Sequence, residues 1–154
     1  MTSRTGFIIV GFVLLVIYMV GSGIWVSTGG GWYQNLKAPT WQPPDWVFGT
    51  IWPYNFLMLG ISIFSVSRSS QTSRLVWLIC FGLSVVAALL WAYEFYVAHN
   101  LGFASFSLLL VPILTLPLTW LAFKSSGWIG TLLLPYQFWV AIAAVLSFTY
   151  AAKN

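Results

Sequence analysis

Residues 7–26 read FIIVGFVLLVIYMVGSGIWV, a run without a single charge or proline. At about 1.5 Å of rise per residue, a helix of roughly 20 residues crosses the ~30 Å hydrocarbon core of a bilayer, so this run predicts a membrane span. Read instead as a secretory leader, it would have Arg4 as its basic start and Gly21-Ser22-Gly23 near the cleavage point. Its apolar stretch exceeds the usual length of about 7–15 residues, which favours the span.

The charges outside this run punctuate the rest of the chain in the same way. Nothing is charged between Asp45 and Arg68, between Arg74 and Glu94, between Glu94 and Lys124, or between Lys124 and Lys153. Further spans are therefore expected at about 46–66, 75–97, 101–123 and 128–152. None of the runs alternates apolar and polar residues with period two, which argues against a β-barrel, and in lipid the backbone must then satisfy itself as helix. The expected fold is an all-α bundle of five transmembrane helices forming one domain over residues 1–154. Composition agrees: the chain is 60% hydrophobic and 5% charged with mean hydropathy +0.90, whereas soluble domains carry about 25% charged residues. The net charge of +4 is spread too thinly to suggest nucleic acid. The one cysteine, Cys80, lies inside an apolar run and offers no disulfide framework.

With five spans, Arg4, Arg68, Arg74 and Lys124 share one side, while Lys37 and Lys153 share the other. The excess of basic residues predicts a cytoplasmic N-terminus. The long loop between the first two spans then lies outside. That loop, Trp32 to Trp46, holds three of the ten tryptophans and three of the seven prolines. Proline fixes φ, so the segment is expected to be a stiff aromatic roof over the bundle. Gly29-Gly30-Gly31 lacks the Lys-Ser/Thr of a phosphate loop and reads as a flexible lead into it. Trp25, Trp46, Trp77 and Trp128 fall near helix ends and are expected to be interfacial anchors. Pro112 and Pro117 should bend the fourth span.

Candidate chemistry is sparse. No Ser-His-Asp set, carboxylate pair or Cys-x-x-Cys is present. His99 has no second ligand at metal-binding spacing, and Glu94 sits close to the same turn, where interfacial solvation suits it. On the fifth span Tyr136, Trp139, Ala143, Leu146 and Tyr150 recur at i, i+3, i+7, i+10 and i+14, one helix face. Leu146, Tyr150 and Lys153 also fit a sterol-contact pattern that many helix ends match. Ser84, Ala88 and Ala92 form a small-residue stripe on the third span, matched by Ala143, Ser147 and Ala151 on the fifth. Such stripes let membrane helices approach closely, so either these two helices or a homodimer should pack along them.

Three blocks carry a resemblance: Trp32-Tyr33-x-x-Leu36-x-x-Pro39-x-Trp41-x-Pro43-Pro44-x-x-Val47-Phe48-x-x-x-Trp52, then Trp91-Ala92-x-x-Phe95-Tyr96 with Ala98-His99-Asn100, then Leu133-Leu134-Pro135-Tyr136-x-x-Trp139-Val140. Together they resemble the TspO/MBR family over most of the chain. The resemblance implies a five-helix membrane receptor or sensor, often a homodimer, and a bacterial cell membrane is the expected location. Its implied ligands are porphyrins and haem-type tetrapyrroles, isoquinoline- or benzodiazepine-type drugs and, in animals, cholesterol. No cofactor is required. The implied pocket lies inside the bundle, lined by Phe48, Trp52, Ala88, Trp91, Tyr136, Trp139 and Ala143 and roofed by Tyr33, Trp41 and Pro43. A light-driven oxidation of bound porphyrin, with Trp52 and Trp139 as oxidisable indoles, is the alternative; transport or scaffolding is the third reading. This chain departs from the family pattern at Ser84, Ala88 and Ser147, where the family has Gln, Asn and Asn. It departs also at Pro53, Phe56 and Ser107. These departures predict a more apolar pocket wall.

Overall fold

The computed structural model describes residues 3–154. Five long helices cross the membrane: α1 (Arg4–Thr28), α3 (Asp45–Val66), α4 (Gln71–Tyr96), α5 (Leu101–Ser125) and α6 (Gly127–Lys153). A single-turn helix, α2 (Gly30–Tyr33), follows α1 directly. Each long helix is apolar and long enough to span a bilayer, so the chain is a multi-pass integral membrane protein. Side chains define several helix starts. The Ser3 hydroxyl accepts from the Gly6 N–H at 3.0 Å, Ser70 from Ser73 at 3.2 Å and Asn100 from Phe103 at 3.3 Å. The Ser70 cap begins α4 ahead of Arg74, earlier than the run of apolar residues predicts.

Around the bundle the helices neighbour one another in the order α1, α4, α5, α6, α3 and back to α1. The short α5–α6 and α4–α5 connections make these pairs antiparallel neighbours, and they share the most extensive contacts. In one half of the bundle the centre is packed solid. Phe7, Leu59, Ile63, Val66, Trp77, Phe81, Leu118 and Leu133 are all fully buried. Trp77 meets Phe7 edge-on at 5.5 Å between ring centroids and Phe81 at 4.7 Å. Trp77 is thus a core residue and not an interfacial anchor: nearly two helix turns inside the start of α4, it packs on Phe7 of α1. Trp46 and Trp128, 70% and 82% exposed, do sit at the surface, and Trp25 rests edge-on against Tyr93.

Ser84, Ala88 and Ala92 are buried to 1% exposure or less. The third-span stripe is consumed inside one chain, against α1 and α5. The homodimer expectation is left resting on other faces. Pro112 and Pro117 lack the N–H groups that would bond the Leu108 and Ile113 carbonyls of α5, and side-chain bonds tie this stretch of α5 to α6. The Gln137 amide donates to the Pro112 carbonyl at 2.8 Å, and the Thr119 hydroxyl donates to the Gln137 carbonyl at 3.2 Å. Likewise the Tyr54 hydroxyl donates to the Leu132 carbonyl at 2.7 Å, in the turn of α6 disturbed by Pro135. Such bonds join helices where apolar attraction between them gives little, because lipid is as apolar as the helices.

Candidate functional site

The other half of the bundle is hollow. A cavity of about 540 Å³ opens where α1 ends and α3 begins, within the usual size of a small-molecule site. Its walls are aromatic because rings recur at helical spacing. On α3, Phe48, Trp52 and Phe56 stand at i, i+4 and i+8, one face. Trp91 and Phe95 do the same on α4, and Trp139, Ala143, Leu146, Ser147 and Tyr150 line the cavity from α6. Helix α1 contributes Tyr18, Met19, Ser22, Gly23 and Val26, while Gly30, Tyr33, Gln34 and Asp45 stand at the mouth.

The rings hold one another mainly edge to face. Phe48 meets Trp139 at 5.1 Å and 78°, Tyr18 meets Phe56 at 5.3 Å and 85°, and Phe95 meets Tyr150 at 5.8 Å and 88°. Each such pair contributes about 0.5–1.5 kcal/mol beyond its burial. Trp52 and Phe56 lie more nearly parallel, 5.6 Å apart at 28°.

Polar groups are few and mostly engaged. The Trp91 indole donates to the Ser147 hydroxyl at 3.2 Å, and Ser147 lies 3.0 Å from the Ser105 hydroxyl. Ser105 in turn donates to the Leu101 carbonyl at 2.8 Å. With that proton committed, Ser147 must donate to Ser105, and the chain orders itself from α4 through α6 to α5. The Trp139 indole nitrogen is buried and has no protein partner.

The segment between α2 and α3 is tied to the end of α6. The Tyr150 hydroxyl donates to the Gln42 carbonyl and lies 3.2 Å from the Tyr33 hydroxyl. The Asn154 carbonyl accepts from the Lys37 N–H at 2.8 Å, and its amide faces the Lys37 carbonyl at 3.4 Å. Behind the roof, Trp32 stacks on His99 with ring centroids 4.0 Å apart and planes 10° apart. His99, at φ 59°, closes the turn between α4 and α5. The glycines before the roof are not a flexible lead. Gly30 and Gly31 are helical, and a Cβ on buried Gly29 would fall 2.5 Å from the Tyr96 ring and 3.0 Å from its carbonyl. Gly29 is there for close approach of α1 to α4.

Of the residues expected at a pocket, the structure brings Tyr33, Phe48, Trp52, Trp91, Trp139 and Ala143 together around the cavity. Trp41 is 47% exposed and, like Pro43, stands in the loop outside the lining. Ala88 is buried one turn before Trp91 on a face of α4 that does not line the cavity, and Tyr136 lies fully buried beside Tyr18, beneath the cavity floor. Sequence reasoning missed Tyr18, Phe95 and Tyr96 as lining residues. The i, i+4 repeat of Trp91 with Phe95 was a usable sign of an aromatic face. Two departures from the family pattern, Phe56 and Ser147, do line the cavity, whereas Ser84, Ala88 and Ser107 do not. Leu146 and Tyr150 of the sterol-contact pattern face this cavity and are 7% and 3% exposed.

The sequence that builds this aromatic-walled half-bundle has relatives among known proteins. The CrtK protein of Rhodobacter capsulatus is 30% identical over 149 residues, covering 92% of each chain. The tryptophan-rich protein TspO of Chlorobaculum tepidum is 30% identical over 145 residues, covering 91% of this chain and 90% of the relative. The human translocator protein is 30% identical over 138 residues, covering 88% of this chain and 82% of the relative. The family model described as TspO/MBR matches residues 9–152, nearly the whole chain, and the protein belongs to the TspO/MBR family.

Proposed function

We propose that the protein is a membrane receptor that takes a planar aromatic molecule of the porphyrin class into the cavity beneath the 32–46 loop. The observation that carries this reading is the convergence of Trp52, Trp91 and Trp139 on one mostly apolar cavity, with aromatic rings contributed from four helices. A flat π-rich disc gains from such walls and needs few polar anchors. Anionic edge groups of the ligand would lie at the mouth, where Tyr33 and Tyr96 supply hydroxyls and Lys37 and Lys153, at the same end of the bundle, outweigh the single carboxylate of Asp45.

Titrating a dicarboxylate porphyrin into the detergent-solubilised protein should quench indole fluorescence saturably. A cyclic aliphatic compound of similar mass should not. Equal quenching by both would remove the planar-aromatic reading.

A second reading shares the same cavity: light-driven oxidation of the bound porphyrin, with indoles as reductants. It is favoured by the direct exposure of Trp52, Trp91 and Trp139 to the cavity. Under illumination, bound porphyrin should then bleach faster with the native chain than with a Trp52→Phe, Trp139→Phe double variant. Equal bleaching leaves the receptor reading alone.

The membrane is proposed to be a bacterial cell membrane, with the aromatic loop outside and the N-terminus in the cytoplasm. On a Cys80→Ala background, an impermeant thiol reagent applied from outside should label Asn35→Cys and spare Ser70→Cys. The reverse pattern would invert the topology.

A further inference from the structure

At the end opposite the aromatic cavity a second hollow, of about 620 Å³, lies where α3, α5 and α6 meet. Its character is different. Arg68 and Lys124 line it, together with the hydroxyl residues Ser65, Ser69, Ser125 and Ser126, while Ile61, Phe64 and Ile129 form an apolar side facing the membrane interior. Phe64 and Ile61 are 53% and 36% exposed, so this side is open to acyl chains.

The positive charge here is not spent on the protein. Arg4, which also lies at this end, gives its Nε to the Ser67 hydroxyl at 3.3 Å. Arg74 folds its Nη1 onto the Ser67 and Ser69 carbonyls at 3.2 and 3.0 Å. These two cations brace the turn between α3 and α4. Arg68 and Lys124 have no carboxylate to meet. The only acids, Asp45 and Glu94, sit at the other end of the bundle. Lys124 instead holds its ammonium 5.2 Å from the Trp120 ring, whose 61% exposure places it at the bundle surface. The hollow also receives the start of α6, a helix of 27 residues with no acidic residue in its first turn and no side chain capping it. Free N–H groups and the helix dipole there favour an anion.

We propose that this hollow is a binding site for the phosphodiester headgroup of an anionic phospholipid. Arg68 and Lys124 supply the charge, the Ser69 and Ser126 hydroxyls and the first N–H groups of α6 supply donors, and the lipid's chains run along Ile61, Phe64 and Ile129; the Ser125 hydroxyl donates to the Ala122 carbonyl and Ser65 to Ser125, which fixes the wall between them. A soluble phosphate would satisfy the cations but leave the apolar side in contact with whatever lipid happened to be there, so the membrane-borne anion fits better. Basic hollows between transmembrane helices are a recognised setting for such headgroups.

The test uses the full chain. Native mass spectrometry of the protein extracted with mixed phosphatidylglycerol and phosphatidylcholine should retain phosphatidylglycerol selectively. Each cation near an anionic surface contributes about fivefold, so Arg68→Gln with Lys124→Gln should lower retention roughly twenty-fold. Arg68→Lys with Lys124→Arg should restore it, and Lys37→Gln with Lys153→Gln at the far end should leave it unchanged. Porphyrin quenching in the double Gln variant verifies that the bundle is intact. Undiminished phosphatidylglycerol retention in that variant would overturn the site. Displacement of the lipid by inorganic phosphate at equal concentration would overturn its assignment to lipid.

Discussion

The same five helices behave differently in their two halves. Toward the Arg68–Arg74 turn their centre closes on Trp77, Phe7, Phe81 and Ile63, and the hollow lined by Arg68 and Lys124 lies between α3, α5 and α6 beside that packing. Toward the roof the helices separate, and large rings stand around a cavity instead of filling it. Helices in lipid gain little from apolar attraction, so cohesion must come from close packing and hydrogen bonds. The lower half supplies both. The upper half gives up packing for a site and recovers part of the loss through ring-on-ring contacts, the Trp91–Ser147–Ser105 chain and the ties from the roof to α6. Stability and binding are thereby assigned to different ends of the molecule, and substitutions can separate them.

The largest effect is expected from Trp77→Ala. The indole is fully buried and its nitrogen has no partner, so the loss is one of packing alone, about 3–5 kcal/mol. Unfolding in mixed detergent would read it, and a loss below 1 kcal/mol would mean that the lower half is not the cohesive one. Ala88→Leu adds bulk where none fits and should cost about 1–3 kcal/mol. Because Ala88 does not border the cavity, porphyrin affinity should not change; a shift in affinity at unchanged stability would move this residue into the site. The smallest effect belongs to Tyr150→Phe. It deletes the hydroxyl shared by Gln42 and Tyr33 and should cost about 0.5–1.5 kcal/mol. Its clearer mark is a faster porphyrin release rate in stopped-flow, since the roof loses a tie to α6. An unchanged release rate would show that the roof does not gate the cavity.

The two halves were also unequally legible from sequence. Charge-free runs fix five spans because the cost of charge in hydrocarbon is the same wherever the helix sits, and the helices begin and end within a few residues of those runs. Facing is harder to read. Every helix is apolar all round, so periodicity does not say which side meets protein and which meets lipid. Trp77 looked like an anchor because of its place near a helix end, and Ala88 looked like a pocket residue from the family pattern; Trp77 belongs to the packed half, and Ala88 is buried on a face of α4 that does not line the cavity. Gly29 looked flexible because composition cannot reveal that Tyr96 lies against it. The aromatic faces of α3 and α6 were readable, since rings at i and i+4 must share a side. The exclusion of Trp41 and Pro43 from the lining depends on how the loop folds back toward Asn154, a contact between residues far apart in the chain.

The separation of the two halves is tested most directly by porphyrin dissociation constants for Trp139→Ala and Trp77→Phe, measured alongside the native chain. Removing Trp139 takes away a wall of the cavity and should weaken binding by about 1–3 kcal/mol, roughly five- to a hundred-and-fifty-fold. Trp77→Phe trims the packed half and should leave the dissociation constant within twofold. Binding unaffected by Trp139→Ala, or weakened as much by Trp77→Phe, would contradict the assignment of recognition to the hollow half.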